Sequence, residues 1–160
     1  MDNKELMEKV METTLGVAQQ EEHLPMIFVN DPADDQIPCY PLPSDKAVWK
    51  PLISTMLEVV KPLSYVFVAE GYMAFQEGDH AAATKTMNEM VQNDIRVRDI
   101  PGRDEALMVW MVPRTGDITV ASAIIHEGEE DRGLDSWKWT IQIFARTGTV
   151  QSRIIPTEEW

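Results

Sequence analysis

The sequence predicts an α+β domain built on a mainly antiparallel sheet, and three observations carry that expectation. Strand-like segments cluster late in the chain, without the strand–helix alternation of a parallel sheet. Residues 106–112 (ALMVWMV) are apolar at every position, as in a central strand covered on both faces. Two more strand-like segments, 118–125 and 137–144, follow after the turn 113–117 and the polar loop 127–135. Together they predict a C-terminal antiparallel meander with helices packed on the sheet.

Taken in order, residues 4–20 read as an amphipathic helix. Leu6, Met7, Val10, Met11 and Val17 recur at three- and four-residue steps, with Glu5, Lys9 and Glu12 for the wet side. Residues 25–29 (PMIFV) are a short strand, and Asn30-Asp31-Pro32 with Asp34-Asp35 turns the chain. Residues 37–42 are a candidate hairpin partner, but Pro38, Pro41 and Pro43 either confine such a segment to a sheet edge or deny it strand status. Ser44 and Asp45 are helix-start residues, yet Pro51 fits only the first turn of a helix. The main helix is therefore expected to begin near Lys50. Its stripe of Leu52, Ile53, Met56, Leu57 and Val60 runs to Pro62, which stops it. Residues 63–74 follow as a strand rich in Tyr65, Val66, Phe67 and Val68. Residues 79–93 read as a helical insertion capped by Asp79, with Ala83, Met87, Met90 and Val91 on one side.

The meander then begins after an irregular stretch, 95–102. Its first turn needs a positive φ, which Gly116 supplies. In 118–125 the odd positions Thr119, Ala121 and Ala123 are small, so a helix can approach that face closely. In 137–144, Trp137, Trp139, Ile141 and Ile143 alternate with Lys138, Thr140 and Gln142, which predicts one buried and one wet face. Residues 150–155 are expected as a last short strand and 157–160 as a tail. At 160 residues, a single domain spanning 1–160 is the expectation.

Composition narrows the function classes. The net charge of −13 opposes binding to a phosphate backbone, which relies on Lys and Arg to displace counterions. Arg96, Arg98 and Arg103 are the densest basic group, and Asp94, Asp99, Asp104 and Glu105 interrupt it. The apolar run 106–112 is far short of the roughly 20 residues that span a bilayer. Residues 1–5 (MDNKE) lack the basic start and apolar stretch of a signal peptide. The single Cys39 cannot form an internal disulfide, which fits a reducing compartment and places the chain in the cytoplasm. Neither nucleic acid nor membrane is expected as a partner.

The element order is similar to that of roadblock and profilin-like folds, where a sheet carries helices on its faces. Pro25-Met26 at the first strand, Glu70-Gly71-Tyr72-Met73 at a strand end and Pro101-Gly102-Arg103-Asp104-Glu105-Ala106-Leu107 at the meander's start also belong together. They resemble a group of uncharacterised prokaryotic proteins of similar size. There a Glu-Ala-Trp-Met-like strand end precedes a Pro-x-Arg-x-Glu-x-Leu-like strand start. Gly71 and Tyr72 depart from that pattern, and the insertion 79–93 is longer. The resemblance brings no catalytic residue with it.

Candidate chemistry is sparse. Glu70 shares a strand face with Val66, Val68 and Tyr72, where a carboxylate can serve as general acid or base. The reading favoured is a structural charge paired with Arg103 or Arg98, because buried charges that persist are usually paired. Glu105 and Arg103 straddle a strand start and complete a possible site with Glu70. The cluster His126, Glu127, Glu129 with Glu130 and Asp131 has ligand-type side chains, but no recognised metal-ligand spacing; it reads as a solvated turn. Cys39 has no activating base nearby and reads as a small packed residue. No Gly-x-Ser-x-Gly elbow, phosphate loop or Cys-x-x-Cys pair occurs, so no cofactor is expected and catalysis is undecided.

Ten methionines and five tryptophans remain, with Met108, Trp110, Met111, Trp137 and Trp139 in the meander. Core packing is their first explanation; adaptable interfaces also favour both residue types. The sequence therefore points to a non-catalytic protein-interaction or self-association module, with a homodimer through the sheet as its simplest form. The alternative is a small enzyme or ligand-binding protein with a pocket around Glu70, Arg103 and Glu105.

Overall fold

A computed structural model describes residues 1–73, 80–126, 139–144, 152 and 154–160. Among them the chain forms α1 (Asn3–Ala18), β1 (Met26–Asn30), β2 (Cys39–Pro41), α2 (Trp49–Val60), β3 (Ser64–Met73), α3 (His80–Gln92), β4 (Asp104–Pro113), β5 (Ile118–Ile124) and β6 (Trp139–Phe144). The strands make one sheet in the order β2-β1-β3-β4-β5-β6, and every neighbouring pair is antiparallel. The fold is α+β with a C-terminal meander, as the alternation patterns predict. No helix of the described residues is long and apolar enough to cross a membrane.

Local chemistry explains the boundaries. Asp2 caps α1 by accepting the Glu5 N–H at 2.8 Å. Asp45 is a genuine cap too, but of a short 3-10 turn (Lys46–Val48) that leads into α2. Pro51 falls in the first turn of α2, where no backbone donor is required. Lys61 ends that helix in the left-handed region at φ 51°, ahead of Pro62. Gly116 takes φ +97° in the β4–β5 turn.

The sheet separates two apolar layers. On one side α2 seats Trp49, Ile53 and Leu57 against Ile27, Val29, Tyr65, Phe67, Val112 and Ile118, with Met87 of α3 packed on the same cluster. On the other, Leu6, Met7 and Val10 of α1 meet Val66, Val68, Leu107, Val109, Ala121 and Ala123. The small side chains of β5 thus lie under a helix, as expected. Helix α1 is tied down along β3 at both ends. Near its start, Asn3 Oδ1 accepts the Ser64 hydroxyl at 2.6 Å; beyond its end, the His23 N–H reaches Glu70 at 3.0 Å. Sixteen helical residues span about 24 Å and the strand from Ser64 to Glu70 about 20 Å, so the helix lies along the strand.

Two expectations change at the C-terminal side. Ile154 and Ile155 lie in a bend rather than a strand, and the rest of that expected strand falls outside the described residues or, at Ser152, is irregular. Residues 157–160 are not a loose tail. Tyr65 donates its hydroxyl to the Pro156 carbonyl, Trp160 Nε1 donates to the Pro62 carbonyl at 3.2 Å, and Thr157 is buried. A buried phenol needs an acceptor, and this segment supplies it. Asp79, expected as the cap of the insertion, lies outside the described residues.

Candidate functional site

The register of the sheet brings Glu70, Arg103 and Glu105 to one corner. Glu70 lies opposite Leu107 and Tyr72 opposite Glu105, on the α1 side of β3 and β4. Opposed residues in antiparallel strands share a face, so Glu70 and Glu105 are diagonal neighbours there. Glu70 is half-buried and accepts the backbone N–H of His23, which donates its Nδ1–H to the Leu24 carbonyl at 2.7 Å. Arg103 lies with its guanidinium 5.1 Å from the centre of the Tyr72 ring. The ion pairs Lys4–Glu8, Lys9–Glu5 and Lys85–Glu89 are each one helical turn apart and lie away from this corner. The carboxylate holds the loop after α1 onto the sheet through a main-chain donor. That role carries no side-chain signature in the sequence.

Arg103 and Glu105 are exposed. A cavity of about 510 Å³ lies on the other side of the sheet, lined by Leu57, Glu58, Lys61, Arg114, Pro156 and Trp160 among others, and by none of the three corner residues. The guanidinium of Arg114 in its rim is already engaged with the carbonyls of Lys61 and Pro62.

The other candidates stay apart. His126 is exposed just beyond β5; Glu127 and Glu129 lie outside the described residues. Among the described residues no three His, Cys, Asp or Glu side chains gather as a metal site would require. Cys39 is exposed on β2 rather than packed, with its Sγ 3.5 Å from Met26 Sδ. Partial burial pushes its thiol up from the ordinary value, which disfavours the thiolate a nucleophile needs.

The sheet's two edges differ sharply in chemistry. In β2 the Pro38 carbonyl and the Leu42 N–H face β1. Residues 39 and 41 therefore face outward, and Pro41 removes a donor from the open row. Strand β6 is the last described strand at the opposite edge, and residues 139–144 (WTIQIF) contain no charge, no proline and no glycine. Its apolar face was expected to be buried. Trp139 does pack on the α1-side cluster, but Ile141 is 58% exposed and Ile143 is 54% exposed. The reason is reach: α1 follows β3 and β4, and the layer it builds stops short of those two residues. Neither a family model, nor a curated protein, nor a solved structure matches this chain.

Proposed function

We propose that the chain is a protein-association module that works through the β6 edge of its sheet. The observation that carries this reading is the pair Ile141 and Ile143, both more than half exposed on an edge strand without charges. An apolar edge of this kind is a template for another strand unless prolines or charges blunt it. Against the alternative of a pocket at Glu70, Arg103 and Glu105 stands the bond that ties Glu70 to the His23 N–H and so gives it a structural task. The single Cys39 fits work in a reducing compartment such as the cytoplasm.

A labelled peptide of residues 138–145 (KWTIQIFA) tests the edge, with fluorescence anisotropy as the readout. It is expected to bind the native chain and to lose binding at least about tenfold to the double variant Ile141→Lys, Ile143→Lys. Exposed substitutions of this kind should change stability by no more than about 0.5 kcal/mol. Equal anisotropy with both chains at every concentration overturns the proposal.

A further inference from the structure

We propose that the partner at this edge is a second copy of the chain, paired β6 to β6 about a two-fold axis that passes at Gln142. The inference rests on the association reading above and names its occupant.

Symmetry restricts how such a pair can form. Two antiparallel copies of one strand are related by an axis perpendicular to the sheet, which keeps the α1 side of one copy continuous with the α1 side of the other. Opposed residues must then belong to the same face. With Gln142 on the axis, Ile141 of each copy meets Ile143 of the other, and the two exposed isoleucines of each chain cover one another. Gln142 meets itself on the opposite face. A carboxamide both donates and accepts, so it can bond to its own image, whereas any charged residue at that position would repel its image. The strand supplies a neutral residue where the axis demands one.

Charge also selects a copy over a foreign partner. The chain carries −13 overall, yet residues 139–144 carry none of it. A basic partner would be drawn to an acidic seam, and β6 offers none. Closure follows from the other edge, since Pro41 blunts β2 and leaves β6 as the competent edge among the described strands. An association that uses one edge twice stops at two chains.

Sedimentation equilibrium is the test. The apparent mass should rise with concentration from 18.2 kDa towards twice that value. It should rise more readily at about 0.5 M than at about 0.05 M salt, because two acidic chains repel and salt screens them. The variant Ile141→Lys, Ile143→Lys should remain at one chain. In a Cys39→Ser background, Gln142→Cys should oxidise to a linked dimer, its two Cα atoms being opposed within disulfide range. Linkage through Ile141→Cys but not Gln142→Cys overturns the stated axis. A mass of one chain at all concentrations up to roughly 100 µM, where even weak dimers associate, overturns the second copy. If the peptide above still binds, the association module survives that result; if it does not, both fall together. Dissociation by added salt would show that charge attraction joins the two copies and would overturn the uncharged β6 seam.

Discussion

The two edges of this sheet solve one problem in opposite ways. Among the described strands, β2 and β6 stand at the two ends of the sheet. Strand β2 has only three residues, all exposed, and one of them is a proline whose missing N–H lies on the open row. Strand β6 has six residues, none charged, and displays two isoleucines. A chain with 27 acidic residues had ample means to place one in β6, as edge strands commonly do. The difference teaches that an edge is protected by a few particular residues, and that overall acidity does not protect it.

The largest expected effect comes from making one substitution in two neighbouring strands. Ile118 in β5 is fully buried against the α2 layer, so Ile118→Ala should cost about 2–5 kcal/mol in urea unfolding. Ile141→Ala or Ile143→Ala in β6 should cost the single chain no more than about 0.5 kcal/mol, measured below the association range. A large loss at Ile141 in the single chain would mean that something within the chain already covers it, and the contrast between the edges would collapse. Next comes Glu70→Ala, which removes the acceptor of the His23 N–H and should lower stability by about 1–3 kcal/mol. Glu70→Gln keeps an acceptor and should lose less. Neither should alter sedimentation relative to the native chain, since α1 does not reach Ile141 or Ile143. The smallest effect on stability concerns the protected edge. Pro41→Thr restores an outward donor to β2 at a cost within about 0.5 kcal/mol, but gives each chain two usable edges. Species larger than a dimer should then appear on size-exclusion chromatography, and an unchanged profile would show that Pro41 is not what blunts that edge.

Much of this architecture is legible in the chain. Residues 106–112 announce a strand covered on both sides because no position can face water. Pro51 locates the start of α2 because only a first turn tolerates it. The expectations that changed share a cause: periodicity tells which residues share a face and says nothing about how far the covering element extends. Trp139, Ile141 and Ile143 do share a face, but α1 is aligned with β3 and its layer reaches only the first of them. Residues 157–160 look like a polar end, and their docking depends on Tyr65, a phenol more than ninety positions away that needs an acceptor. Glu70 and Glu105 come to one face because the register sets Tyr72 opposite Glu105 and Glu70 opposite Leu107. The bond from His23 to Glu70 is not legible in the sequence, because the donor is a main-chain amide that any residue at position 23 except proline would supply.

The two ties that hold α1 along β3 also set a schedule. The apolar face of α1 is made about a hundred residues before β4 and β5, yet its cluster includes Leu107 on β4 and Ala121 and Ala123 on β5. At a ribosomal pace of about 5–20 residues per second, Leu6, Met7 and Val10 must wait several seconds for the surface that will cover them. A helix exposed for that long is open to chaperones and to neighbouring nascent chains. Its alternating Lys and Glu residues, paired along the wet side at Lys4–Glu8 and Glu5–Lys9, keep part of its surface hydrated while the sheet is still being made.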